Sequence, residues 1–537
     1  MLFVLSNVAD AQELVMDVYP GSQSSYPDNL TDVNGTMFFT AFTPANGYEL
    51  WKSNGTTAGT VMVKDIKPGT LSANLNYLTN VSGVLFFTAS DGSNGSELWK
   101  SDGTAAGTVM VKDILVGATG SNPFSFYNFN GTLFFSANDA NSGTELWKSD
   151  GTAAGTMMVK DIAAGFSNSY PEHLFSIAGT LYFTAYTNAT NYELWKTNGT
   201  NAGTMLVKDI YPGSGSGSVN FDPYFTNVNG ELYFRAYDGI SATNSSGGEL
   251  WKSDGTLAGT VLVKDIFAGS ATSGIKYLTS LNGILYFAAN DGINGEELWQ
   301  SDGTIGGTIM LRDITSGSTG SLPKALINVN GTLYFSANDG INGKELWKSD
   351  GTVSGTLMVK NINIAGASNP ENLFNYNNVL YFTANDGTST QVWKTNGTVS
   401  GTIMPWTNNI RYVLTAISGI IISPISAVAN NTMYFRRLGT EGEELWKFNG
   451  SSLSIDSLNL DDSLTIYPNP CNEELFLELP TFRNTTAEIF NLQGQLMQSI
   501  PLRSNKTSIQ IDNLTSGIYL VHVKGPEGTI VKKVVKN

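Results

Sequence analysis

Residues 77–114 read YLTNVSGVLFFTASDGSNGSELWKSDGTAAGTVMVKDI. Turn signals cut this stretch into four pieces. Ser82-Gly83 separates the first two, Asp91-Gly92 and Asn94-Gly95 the next two, and Asp102-Gly103 and Gly107-Thr108 the last two. Asn-Gly and Asp-Gly pairs tolerate the positive φ that tight hairpins require. The stretch therefore predicts four short antiparallel strands: a over Tyr77–Val81, b over Val84–Ala89, c over Glu97–Ser101 and d over Thr108–Ile114. The runs VLFFTA and TVMV are almost continuously apolar, whereas a strand with one wet face alternates. Both faces of these strands are expected to be covered.

The unit recurs along the chain. Trp stands at 51, 99, 147, 195, 251, 299, 347, 393 and 446, with spacings of 48, 48, 48, 56, 48, 48, 46 and 53. Four-stranded meanders at such a period are the sequence form of propeller blades, whose faces stack on one another. A β-solenoid has a shorter coil, and separate sandwiches need about 100 residues each. The expected fold is all-β: a propeller of nine repeats and eight or nine blades, since four to eight is the common range. Residues 13–19, ELVMDVY, align with strand d. An orphan d strand at the start can complete the last blade and remove an exposed sheet edge, although Ser452–Leu458 is a second candidate for that place.

Comparing the copies separates constant from variable positions. Trp to the Thr of the second Gly-Thr is always nine residues, as from Trp51 to Thr60 and from Trp393 to Thr402. Two intervals do change length. The usual 17 residues from the VKDI Asp to the a–b turn become 20 in unit five, from Asp209 to Asn229. The usual ten from strand b to the Glu of ELW become 15, from Phe234 to Glu249. Unit nine is stretched over about Asn408–Pro424. In an antiparallel blade the d–a and b–c connections emerge at one end, so the variation is expected on one face of the disc. Loops on a rigid scaffold are where specificity usually resides. The candidate ligand-binding residues there are Tyr48, Tyr192, Tyr211, Phe221, Asp222, Tyr224, Tyr237, Asp238 and Asn244. Two readings stand: contact with a glycan or protein ligand, or cover for blade edges.

Composition narrows the function classes. The 537 residues carry 57 glycines and only 14% charged residues, which suits strands and turns rather than long helices. A net charge of −16 repels phosphate backbones, so nucleic acid is not an expected partner. The sequence holds no apolar run of 18 residues, hence no expected transmembrane helix. One cysteine, Cys471, permits no intrachain disulfide. Two histidines, His173 and His522, leave no multi-His metal site. A monomer is expected.

Candidate chemistry is sparse. The repeated tryptophans could line a sugar platform, but one bulky residue per blade reads better as the wedge between blades. The b–c loops place Asp91, Asp139, Asp291, Asp339 and Asp386 beside Asn and Glu oxygens, mostly as NDGxNGxE. Asp91, Asp139, Asp291 and Asp339 are the candidate Ca²⁺ ligands, against the reading that Asp-Gly and Asn-Gly are turn chemistry alone. No cofactor is otherwise expected. No nucleophile elbow, phosphate loop or His–Glu zinc motif occurs. Carboxylate pairs suited to glycoside hydrolysis remain an alternative. The acids recur with the repeat, however, as structural residues do.

The repeat stops near residue 455. An acidic linker is expected over 456–463, then a small domain over 464–537 with about seven alternating strands in a sandwich. Tyr467-Pro468-Asn469-Pro470, Asn491-Leu492-x-Gly494, Gly517-Ile518-Tyr519 and the basic run from Lys532-Lys533 occur there in order. These residues resemble the C-terminal sorting domain of type IX secretion cargo in Bacteroidetes. The resemblance implies an Ig-like sandwich, interaction with the type IX machinery, passage across the outer membrane and then removal of the domain. It also implies a Sec signal, and residues 1–11, ending in Ala9-Asp10-Ala11, are expected to be its remnant with the start codon upstream. Asp456-Ser457-Leu458 and Asp462-Ser463-Leu464 resemble the O-glycosylation motif of the same phylum. Residues 12–455 resemble the ELWxxDGT repeat family, which implies an extracellular propeller-like protein and no particular activity. The expected protein is a secreted or surface-held non-catalytic binding propeller. The alternatives are a secreted carbohydrate-active enzyme and a structural spacer.

Overall fold

The computed structural model describes residues 12–212, 222–238, 248–268, 272–405, 426–448, 464–478, 486–491, 496–525 and 528–537. Residues 1–11, Phe221, Asn244, Gly494, Asn408–Pro424 and Ser452–Leu458 lie outside them. Contacts divide the chain into two units, Met1–Gly450 and Ser451–Asn537.

The first unit contains nine antiparallel sheets among the described residues. Blade 1 shows the pattern: strand a is Asp28–Val33, b Thr36–Thr43, c Gly47–Ser53 and d Val61–Lys64. Blade 2 uses Asn76–Val81, Val84–Ser90, Ser96–Ser101 and Val109–Lys112. Strand d is thus shorter than its apolar pattern suggests. Its last residues, Asp113 and Ile114, turn away, because the Ile114 N–H is drawn to the Glu97 carboxylate. Blade 8 has three strands plus a bridge between Lys394 and Ile403. Its sequence departs from the repeat there, with Met404-Pro405 in place of the usual strand residues.

Ring closure follows the orphan-strand expectation. Gln12–Met16 pairs with Gly442–Phe448, strand c of blade 9, and so supplies that blade's strand d. Strand a of blade 9, Ser426–Ala429, lies against strand a of blade 1. Neighbouring a strands touch around much of the ring, so strand a is innermost.

Continuous apolar runs arise because each blade is covered twice. Val81, Phe86, Leu98 and Val111 of blade 2 meet Leu133, Phe135, Ala137 and Trp147 of blade 3. Successive strand-b residues therefore face opposite neighbours, as the two-residue period dictates. Each Trp is wedged against the preceding blade, and the tryptophans are core. The strand-d lysine of that preceding blade crosses over the ring, with Lys64 Nζ 5.8 Å from the Trp99 centroid. Its ammonium also donates to the Thr108 carbonyl at 2.7 Å.

The Ser-Asp-Gly-Thr turn closes on itself, which accounts for its constant length. Ser101 and Thr108 hydroxyls meet at 2.7 Å, the Gly103 N–H donates to Ser101, and the Thr104 N–H donates to Asp102. A Cβ at Gly107 would stand 2.1 Å from Asp102 Oδ1, so a larger residue there would push that carboxylate out of the turn.

The Glu of ELW ties one blade to the next. Glu97 is fully buried and accepts from the Ile114 and Leu115 N–H groups and from both the N–H and hydroxyl of Ser121. Ser121 in turn accepts at its carbonyl from Asn138 of blade 3. Glu145 repeats this with Ile162, Ala163 and Ser169. At the closure Glu444 takes the Val18 N–H at 3.1 Å, the Ser25 N–H at 3.0 Å and the Ser25 hydroxyl at 2.6 Å. The same device thus joins the last blade to the first.

The second unit has seven strands in two sheets. One holds Thr465–Tyr467, Glu474–Glu478 and Lys506–Gln510. In the other the order is Leu496–Pro501, Thr486–Asn491, Gly517–Gly525 and Gly528–Lys536. Leu475, Leu477 and Ile509 of one sheet share a core with Ile489, Val521 and Val534 of the other.

Two outcomes follow for the ring. Glu444→Ala strands three buried donors and is expected to destabilise the protein by roughly 3 kcal/mol in chemical denaturation; an unchanged midpoint would show that closure does not depend on this carboxylate. Burial pushes the Glu145 carboxyl up to about 7, against the hydrogen bonds from Ser169 and Ile162 that lower it. The folded state therefore binds protons more readily than the unfolded chain, and this contribution to stability is lost as pH rises through that value. Melting temperature should fall between about pH 5 and pH 8, and Glu145→Gln should make that slope shallower; an identical slope in the variant would refute the assignment.

Candidate functional site

The d–a and b–c connections do share one end of the blades. A Cβ on Gly95, in a b–c loop, would meet the Gly120 backbone of a d–a connection at 2.3 Å. At this end strand a begins with a bulge. Asp28 pairs with Thr40 but Thr31 with Phe38, and the same shift recurs in blades 2, 3, 4, 6, 7 and 8. The bulged residue takes left-handed backbone in each of blades 1 to 8, including Asn29 (φ 55°), Tyr77 (57°), His173 (55°) and Tyr224 (52°). Bulges re-aim side chains. Here one such residue per blade stands at the inner mouth of the ring, and in blades 1 to 8 it is Asn, Tyr, Ser, His, Tyr, Tyr, Ala and Asn.

A second left-handed position lies three residues earlier. Blades 2, 3 and 8 use Asn74, Asn122 and Asn369 there, a residue type that tolerates this backbone. Blades 1 and 4 use Tyr26 (φ 47°) and Tyr170 (φ 42°), where the conformation costs about 1–2 kcal/mol, yet their rings are 44% and 40% exposed. The residue just before the ELW glutamate also varies, from Tyr48 and Tyr192 to Glu296 and Lys344. A Lys276–Glu296 ion pair at 2.8 Å spans the mouth at blade 6.

The candidate tyrosines fall into separate groups. Tyr48 packs on Phe42 at 5.3 Å and Tyr192 on Tyr186 at 5.4 Å, each a cross-strand pair in its own blade. Tyr211 and Tyr237 meet edge-on at 5.6 Å, and Asp238 follows Tyr237 directly. Tyr224 lies between Tyr277 at 5.9 Å and the Arg235 guanidinium at 5.2 Å, and its N–H donates to Asp222 at 3.4 Å. Burial, then the Asp222 charge, pushes the Tyr224 hydroxyl up to about 12. His173 joins this group electrostatically; burial lowers its pKa, with Asp222 opposing and Arg235 reinforcing the shift. Sequence reading passed over His173, Arg235 and Tyr277 because they lie within strands rather than in lengthened loops. Their signal was the lack of a consensus residue at an otherwise regular position.

Two clefts open beside blade 9. One, of about 530 Å³, includes Tyr26, Asp28, Tyr48, Asn74 and Arg436; the other, of about 660 Å³, includes Thr388, Gln391, Arg437 and Leu438. The Arg437 guanidinium stands 3.9 Å from the Trp446 ring centroid.

The candidate calcium ligands stand in four different blades. Asp91 accepts the Ser93 and Asn94 N–H groups at Oδ1 and the Asn94 amide at Oδ2. Asp291 and Asp339 repeat this set, and Asp139 accepts from Asn141 and Ser142. Burial would raise the Asp91 carboxyl, but these hydrogen bonds outweigh it and hold it below its ordinary range. Among the described residues no three His, Cys, Asp or Glu side chains gather as a metal site.

In the second unit the motif residues converge although the sequence scatters them. The Asn469 amide donates to the Lys533 carbonyl at 2.8 Å and accepts the Val535 N–H at 2.9 Å. Cys471, buried, pairs its backbone with Val535 and Asn537. Both Tyr467-Pro468 and Asn469-Pro470 peptide bonds are cis. Asn491 pairs with Tyr519, Tyr519 with Val534, and Gly517 with Lys536. Lys532 pairs with Val521 in the same ladder, and Lys533 is exposed. Tyr467 stacks on Phe476, and its hydroxyl donates to Glu478 at 2.8 Å.

This unit matches a family model described as the secretion system C-terminal sorting domain, over residues 465–537. Residues 465–537 are a sorting domain of that family. The sorting domain directs the protein through type IX secretion, and the protein is secreted or held at the cell surface. No curated protein matches the chain. Among solved structures it is similar to PorZ, described as an essential bacterial surface component of the type IX secretion system of Porphyromonas gingivalis, at 12% identity over 95% of this chain and 75% of that one, with a TM-score of 0.33. A puromycin hydrolase is similar at 13% identity over 70% of this chain and 60% of that one, TM-score 0.32. The β-propeller domain of the Trilobed protease from Pyrococcus furiosus, described as having an open velcro topology, is similar at 10% identity over 61% of this chain and 93% of that one, TM-score 0.30. At that level nothing about activity transfers. No helix among the described residues is long and apolar enough to cross a membrane.

The Asn469 clamp on the end of the sorting domain yields a direct test. Asn469→Ala should raise hydrogen exchange at the Val535 amide by about fivefold, the loss of one neutral hydrogen bond; an unchanged rate would mean the clamp contributes nothing.

Proposed function

We propose that the ring is a non-catalytic binding propeller of the ELWxxDGT-repeat type, presented outside the cell after type IX export. Its ligand is a glycan or a protein, and the binding surface is the d–a/b–c mouth. The observation that carries this reading is the distribution of variation. Trp recurs in all nine blades, and the Glu and the Ser/Thr-Asp/Asn-Gly-Thr turn in eight each, yet the left-handed residue at the start of strand a is variously Asn, Tyr, Ser, His or Ala. A purely structural spacer would have no reason to hold Tyr26 and Tyr170 in left-handed backbone with exposed rings. Against catalysis, the buried repeat carboxylates are consumed by backbone donors, and the loop aspartates by their own turns.

The full-length protein should be applied to a defined glycan array and a panel of purified extracellular matrix proteins, with a hydrolysis screen on the same glycans. Retention of at least one probe without product release is expected. Product release would replace the reading with an enzyme, and silence throughout would replace it with a spacer.

A further inference from the structure

One cleft at the inner mouth is lined by residues of blades 1 and 2 and by Arg436 of blade 9. At the strand-b position where blades 1 to 4 carry Thr40, Thr88, Ser136 and Thr184, blade 9 carries Arg436, as blade 5 carries Arg235. The Arg436 Nε is 3.3 Å from Glu443, and both side chains are largely buried. The exposed Tyr26 lines the same cleft, at the left-handed position that blades 2, 3 and 8 fill with asparagine. Asn29 and Asn74 line it too.

The chemistry of this lining selects a ligand class. A half-exposed ring next to amide groups offers an apolar platform bordered by paired donors and acceptors. That is the complement of a sugar ring, with its apolar C–H face and its rim of hydroxyls. The lining carries one acid, Asp28, and one base, Arg436, whose guanidinium is engaged by Glu443, in a protein of net charge −16. Such a site has no spare cation to hold uronic acids, sialic acids or phosphates. The volume of about 530 Å³ lies within the ordinary range for small-ligand clefts.

We propose that this seam cleft binds a neutral oligosaccharide, which stacks on Tyr26 and is hydrogen-bonded by Asn29, Asn74 and Arg436. The assignment rests on the mouth being a binding face. It moves the ligand from the lengthened loops of unit five to the place where the ring closes.

The test uses the full-length protein and immobilised neutral gluco-, manno-, xylo- and galacto-oligosaccharides, with uronic-acid oligosaccharides as controls. Tyr26→Asn installs the residue that other blades carry and removes the ring. Arg436→Thr likewise restores the repeat residue. Tyr224→Ala alters the mouth at blade 5. At least one neutral oligosaccharide should bind. Tyr26→Asn should weaken it by about tenfold or more while the melting temperature holds or rises, because backbone strain is relieved. Arg436→Thr should weaken it too, and Leu257→Ala, at an exposed residue in the c–d turn of blade 5, should leave it unchanged. Exclusive binding of uronic acids, or full binding by Tyr26→Asn, overturns the proposal. Loss on Tyr224→Ala with Tyr26→Asn unaffected refutes the cleft but keeps the face. If no oligosaccharide binds, the cleft assignment fails, and the binding-propeller reading then depends on the protein panel alone.

Discussion

The ring depends on one carboxylate at the start of strand c, present in eight of its nine blades. A glutamate inside a protein is costly unless its oxygens are met by donors. Here each side of the cost is used. The carboxylate of Glu97 gathers two N–H groups from the end of its own strand d and two donors from the chain on its way to the next blade. It therefore sets where a blade ends and where the following one starts. Tryptophan and lysine add the apolar and cationic parts of the same junction, with Lys112 over Trp147 as Lys64 is over Trp99. Stability in such an array is built from neighbour contacts, and this junction is the neighbour contact.

Blade 8 shows what happens when the junction is altered. Gln391 stands in the place of the glutamate, Val392 in the place of leucine, and the Trp393 indole finds the Ala384 carbonyl at 3.2 Å. The sheet has three strands and a single bridge in place of a fourth. Blade 9, next to it, receives its strand d from the other end of the chain. The two clefts described above touch this part of the ring, through Thr388 and Gln391 of blade 8 and Arg436 and Arg437 of blade 9.

Much of the architecture was legible in the repeat. Turn dipeptides separated the strands, doubly apolar runs told of two-sided cover, and ELVMDVY was recognisable as a strand d without a blade. The glutamate lock was not legible, because most of its donors are backbone N–H groups that leave no trace in side-chain identity, and only the recurring serine, as at Ser121 and Ser169, marks it. Nor was the bulge at the start of strand a. Left-handed backbone usually announces itself by glycine, but here the positions hold Tyr, His, Ser, Ala and Asn. The cleft escaped for a third reason: Asp28 and Arg436 are some four hundred residues apart in the chain, and only closure brings them together. The large length changes drew attention to unit five, whereas the cleft with Tyr26 and Arg436 involves substitutions within the regular strands.

Gln12–Met16 fills the outer place of blade 9, and Val18 and Ser25 fill the roles that downstream residues play elsewhere. Among the described residues, all four strands of that sheet end at or before Phe448. The strand that latches the ring and the label that exports it stand on opposite sides of the repeat array in the chain.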